Sequence, residues 1–146
     1  MEEASSALTT GQYLLAAALC HDALKLARTK NDFGRMKRIC MPMLEAQRYL
    51  RQSALDKGII HTISKSTDIP ESPGDECFFF APNFVGADAL RFRNAANDAG
   101  IAPFVLTREP TTSKNQWPIV GVAERVVRVR IDPPENDTPN PKWFSA

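Results

Sequence analysis

Long apolar runs are missing from this 146-residue chain. The longest, Tyr13 to Cys20, is eight residues, against the roughly 20 that a helix needs to cross a bilayer. That excludes a transmembrane helix. The opening residues Met1-Glu2-Glu3-Ala4-Ser5 are acidic where a secretory leader is basic, and no small-residue cleavage site follows an apolar stretch. A cytoplasmic location is the resulting expectation. Charge of one sign is missing too: 18 Lys and Arg stand against 17 Asp and Glu, which excludes a polyanion-coating protein and a charge-driven disordered chain.

Cysteine, histidine and glycine are also sparse. Cys20, Cys40 and Cys77 are far apart and lack the short spacing of a zinc site or redox pair. They read as reduced, buried thiols. The only histidines, His21 and His61, are forty residues apart, with no H-x-x-x-H and no G-x-S-x-G in the chain. His21 falls on the polar stripe of a helix, and His61 falls in an apolar run with no nucleophile to name beside it. No glycine-rich loop cradles a phosphate, since Pro82-Asn83-Phe84-Val85-Gly86 holds one glycine and Asp88 follows it. The reading therefore leans away from an enzyme and expects neither a metal nor a cofactor.

What is present divides the chain. Only Pro42 precedes residue 70, while the other ten of 11 prolines come after it. Helices first, strands and turns later, is the consequence. Residues 1–63 carry nine basic against six acidic side chains, and residues 64–146 carry nine against eleven. Thr9 or Thr10 can cap a helix whose polar stripe holds His21, Asp22, Lys25, Arg28 and Thr29. Its apolar arc, with Leu15, Leu19, Ala23 and Leu26 beside Ala16, Cys20 and Ala27, is wider than one partner helix covers. Asn31 and Asp32 supply a turn and a second cap. Met36, Cys40, Met43, Leu50 and Ala54 then recur at helical spacing up to Gly58, a natural stop. Pro42 inside that helix predicts a kink or a break near Arg38 to Met41, at a cost of about 3 kcal/mol. The pair forms a long αα-hairpin, with too few copies for a repeat array.

Gly58 to Ser64 is β-branched and strand-like, and residues 64–76 read as a linker. Cys77 to Ala81, Gly86 to Ala99 and Pro103 to Thr107 make a βαβ unit, which is right-handed with parallel strands in nearly all proteins. Trp117 to Ala123 and Val126 to Ile131 form a hairpin about Glu124-Arg125. In its last strand Val127, Val129 and Ile131 face the core while Val126, Arg128 and Arg130 face water. The fold class expected is α+β: a helical hairpin with its short strand-like extension (1–63), the linker, a βαββ module with a mixed sheet (77–131), and an extended Pro-rich tail (132–146). Trp143 and Phe144 are the tail's only large apolar residues.

Three surfaces are candidates for function. Leu19 and Met41 on the hairpin mark an interface for a protein partner or a second copy, because Met41 falls on the polar side of its helix. Arg108, Thr111, Thr112 and Lys114 lie in a loop at the carboxyl edge of the parallel strands, where open α/β sheets bind small molecules and anions. Lys25, Arg28, Lys30, Arg35, Lys37 and Arg38 surround the hairpin tip against Asp32 alone. That patch suits an acidic partner and, less well, nucleic acid, since Phe33 is its only aromatic. Association through the hairpin is the leading expectation, and ligand binding at the Arg108 loop is the alternative.

Overall fold

In a computed structural model of the chain, which describes residues 2–110, 116–122 and 126–145, an unexpected helix comes first. Helix α1 (Glu2–Thr9) has Glu2 and Glu3 in its first turn, where carboxylates offset the positive end of the helix dipole. Thr9 and Thr10 close this helix rather than cap the next: their hydroxyls donate back to the carbonyls of Ser5, Ser6 and Ala7 at 2.9–3.2 Å. Helix α2 (Tyr13–Thr29) starts after Gln12, without a side-chain cap. Asn31 then takes a left-handed backbone (φ 52°). Asp32 caps α3 (Phe33–Asp56) as expected, its Oδ1 accepting from the Arg35 amide at 2.8 Å.

Helix α3 runs continuously through Pro42, so of the expected kink or break the break does not occur. Ile39 and Ala46, both fully buried on either side of Pro42, hold the helix through the lost hydrogen bond. The buried clusters place Ala27 and Cys20 with Met36, Ile39 and Met43, and Ala16 with Ala46. Later residues of α2 thus meet earlier residues of α3, which makes the two helices an antiparallel hairpin. Gly58 ends the helical region with φ 67° and an amide bond to the Leu55 carbonyl, a conformation that favours glycine.

The rest of the chain builds a five-stranded sheet in sequence order, one strand more than the expected four. The added strand is β1 (Ile60–Ile63), the strand-like run after Gly58. It pairs parallel with β2 (Cys77–Phe80), which pairs parallel with β3 (Phe104–Arg108). The Pro-rich stretch 64–76 connects these two neighbouring strands and contains one short helical turn, Ser66–Asp68. Helix α4 (Gly86–Asp98) makes the expected crossover between β2 and β3. Strands β4 (Trp117–Val122) and β5 (Val126–Ile131) complete a mixed sheet with antiparallel pairings. Their turn at Glu124-Arg125 lies outside the described residues.

Side-chain alternation sorts the sheet into two buried faces. Ile63, Phe78, Phe80, Val105, Val120 and Val122 pack with Ala89, Leu90 and Phe92 of α4. On the other face Cys77, Phe79, Trp117 and Ile119 pack with Ala54, Leu55, Trp143 and Phe144. The tail is therefore not wholly extended. Asn140 caps helix α5 (Pro141–Ser145) through a 3.0 Å bond from the Trp143 amide, with Pro141 at the first helical position that suits its ring. Phe144 reaches Phe79 and Phe104 edge-on, and the Trp143 indole N–H donates to the Asp132 carbonyl.

Strand β5 departs from the expected one-sided burial. Val127 and Val129 are exposed beside Arg128 and Arg130. Among the described side chains of β5, only Ile131 reaches the cluster that contains α5. The helical cover ends there, so the edge strand beyond it meets water on the face meant to be dry. The chain divides into two units, Met1–Gln52 and Ser53–Ala146, so the last residues of α3 belong with the sheet.

Candidate interaction face and crevice

Arg108, expected in the edge loop, is the last residue of β3, paired with Ile119. Its guanidinium carbon lies 3.9 Å from the centre of the Trp117 ring, a cation–π stack on a buried aromatic. Among the described residues the buried Arg108 Nε has no hydrogen-bond partner, nor has the hydroxyl of neighbouring Thr107. Glu109, next along, accepts from Arg128 Nε and Nη2 at 3.0 and 3.1 Å. Arg108 is thus committed to Trp117, and Glu109 is bound to β5. Thr111, Thr112 and Lys114 lie outside the described residues.

At the hairpin tip the six cations do not behave alike. Lys25 pairs with Asp22 at 3.8 Å and Arg35 with Asp32 at 3.5 Å. Among the described residues Arg28, Lys30, Lys37 and Arg38 have no ion-pair partner. Arg35 and Arg38 share a groove of about 790 Å³ with Glu2, Glu3, Leu26 and Ile39, so the carboxylates of α1 offset part of the positive field there. What remains is a modest patch, short of the aromatic-studded groove that single-stranded nucleic acid needs.

The two interface candidates separate. Leu19 is half-buried and packs in both helical clusters, next to Cys20 and Ala16. Met41 is 72% exposed. Around it the structure gathers residues that the sequence reading did not single out as an interface: Phe33 is 71% exposed, Leu44 56% and Tyr49 37%. With 100° per residue, Phe33, Lys37, Met41, Leu44 and Arg48 fall on the side of α3 opposite Met36, Ile39, Met43 and Ala46. Glu45 on this side accepts from Arg48 at 3.1 and 2.7 Å. That contact holds the Glu45 carboxyl below its ordinary pKa. Tyr49 stacks on Tyr13 at 4.6 Å, and the Arg48 guanidinium lies 4.7 Å from its ring centre. The helical spacing was the signal for this face. A search for buried patterns passes over a large residue on the wrong side.

In the sheet unit a crevice of about 520 Å³ opens between α4 and the 64–76 connection. Its walls are mostly apolar, with Ile69, Pro70, Phe84, Phe92, Ala96 and Ile101 among them. Asp88 and Arg91 form an ion pair at its lining. The Val85 amide and then Arg91 hold the Asp88 carboxyl below its ordinary pKa. No single segment carries this crevice, which is why no motif announces it.

The histidine His61 stacks on Phe78 at 4.8 Å, and its Nε2 is 2.5 Å from Glu76 Oε2. This pair ties β1 to the start of β2. Burial, aided by the Glu76 charge, pushes the Cys77 thiol up to about 11, and burial raises Cys20 as well. Both are poor nucleophiles near neutral pH. No family model, curated protein or solved structure matches the chain.

Proposed function

We propose that the protein is a non-enzymatic association module that assembles through the outward face of α3. One observation carries this reading: Phe33, Met41 and Leu44 stand exposed together on the side of the helix turned away from its own core. Isolated surface leucines are ordinary, but three large apolar side chains exposed on one side of a single helix point to an interaction site. Lys37, between Phe33 and Met41 and without an ion-pair partner among the described residues, gives the face the polarity that fixes register in an interface.

Solution mass of the full chain, measured by light scattering over a range of concentrations, tests the reading. The wild type should exceed the monomer mass, and Met41→Glu should return it to monomer. Equal monomeric masses for both would overturn it.

A second reading rests on the crevice beside α4, whose volume and apolar walls match those of small-molecule sites. The rings of Pro70, Phe84 and Phe92 in its lining favour a planar aromatic ligand over a flexible chain. Indole should raise the melting temperature of the wild type and not of Ala95→Leu, where the added side chain occupies the space. No rise in the wild type would remove this reading.

A further inference from the structure

From the order of side chains along α3 we infer that the occupant of its outward face is a second copy of this chain, packed antiparallel about a two-fold axis at Met41. The inference rests on the association reading above and gives it a partner and a register.

Residues four apart form a continuous row on a helix. On α3 that row reads Phe33, Lys37, Met41, Glu45, Tyr49. About Met41 it is antisymmetric in charge, with a cation on one side and a carboxylate on the other, while Tyr49 at its far end is stacked on Tyr13 of α2. Laid antiparallel on itself, the row places each Lys37 against the other copy's Glu45, on either side of Met41 at the centre. Laid parallel, it places Lys37 on Lys37 and Glu45 on Glu45. Charge therefore selects one orientation, and the contact closes as a dimer because both copies use the same patch. Leu44, exposed beside the row, adds apolar surface to its centre.

Two further features agree with this arrangement. Glu45 already accepts two bonds from Arg48, but a carboxylate offers about four lone-pair sites and can take the partner's ammonium as well. The basic tips would otherwise repel. Antiparallel packing separates the two Phe33 ends by the Phe33-to-Tyr49 span, roughly 24 Å at 1.5 Å per residue. That exceeds the Debye length of about 8 Å at physiological salt, so the tips are screened from each other.

A charge swap in the full-length protein tests the register. Lys37→Glu and Glu45→Lys should each weaken the dimer by about tenfold or more, because each places two like-charge pairs in the interface. The double variant K37E/E45K should recover to within about threefold of wild type. In a Cys40→Ser background, Met41→Cys should form an intermolecular disulfide under mild oxidation, while Cys40→Ser alone should not. All of these positions lie on the helix surface or half-buried, and circular dichroism checks that each variant is folded. Failure of the double variant to recover, or absence of the cross-link, would overturn the two-fold at Met41 if Met41→Glu still lowers the mass. A mass indifferent to Met41→Glu would instead remove the association reading itself.

Discussion

In the helical unit the fully buried apolar side chains are mostly alanines, Ala4, Ala7, Ala16, Ala27 and Ala46, joined by Cys20 and Ile39. The sheet unit buries Phe78, Phe79, Phe80, Ile63, Val105, Trp117, Ile119 and Val120. All the phenylalanines except Phe33 belong to the sheet unit, and Phe33 is exposed. Alanines let helices approach closely but remove little apolar area from water, and burial stabilises by roughly 25 cal/mol per Å². The sheet unit therefore places its large apolar groups inside, whereas the helical unit leaves several of its own outside. The difference teaches where each unit's uncovered hydrophobic surface lies: at Ile59, Val85, Val127 and Val129 in the sheet unit, and in the helical unit at Leu15 and Leu26 of α2, which the sequence pattern placed in the apolar arc, and at Phe33, Met41 and Leu44 on the outward side of α3.

The sharpest way to break the comparison is to empty the sheet core. Phe80→Ala should cost about 3–5 kcal/mol, read by denaturant unfolding. A loss below about 1 kcal/mol would mean that the aromatic core does not carry the unit. The helical unit calls for the opposite operation. Ala46→Leu should cost about 1–3 kcal/mol by overpacking a site with no room for a branched side chain. An unchanged or raised stability would show that the helices stand farther apart than the burial of Ala46 indicates.

A third test uses the thiols. Cys77 is held protonated by burial, so its folded pKa of about 11 lies above the ordinary 9.0. The folded state binds this proton more tightly, and the stability it contributes is present below pH 9 and lost as the pH rises toward 11. The loss should reach about 2–3 kcal/mol. Unfolding titrations across that window should show the decline in wild type and a smaller one in Cys77→Ala; identical declines would contradict it. Smaller still is the expected difference in reactivity. Half-buried Cys40 should be alkylated before Cys20 and Cys77 near neutral pH, as peptide mass mapping would show.

Much of this architecture was legible in the sequence, because local signals carried it. The α+β order, the hairpin turn at Asn31-Asp32, the Gly58 stop and the βαβ unit all arise from spacing and turn chemistry. Helix α1 escapes a sequence reading because Thr9 and Thr10 suit the start of α2 as well as the end of α1. Of the kink or break expected at Pro42 the break is absent, because packing at Ile39 and Ala46 holds the helix across the lost hydrogen bond. β1 looked like an appendage to the hairpin, since its partner Cys77–Phe80 lies beyond a Pro-rich connection. The order of the tail comes from Trp143 and Phe144 docking on Phe79 and Phe104, a contact across more than sixty residues for the first of these. Among the site residues, Met41 was visible as an apolar residue on a polar face. Its neighbours in the row carry no such signal, because each alone is an ordinary surface residue. The basic tip was visible as composition, whereas its partial compensation by Glu2 and Glu3 depends on helix α1, which the sequence pattern did not reveal.

Light scattering on the full chain, wild type beside Met41→Glu, bears most directly on the claim that the helical unit's outward apolar row is an interface. Met41 is exposed, so the substitution should leave folding stability within about 0.5 kcal/mol. The account predicts a wild type whose mass rises with concentration to twice the monomer, and a folded variant that stays monomeric. Two identical monomers over the full concentration range would contradict it.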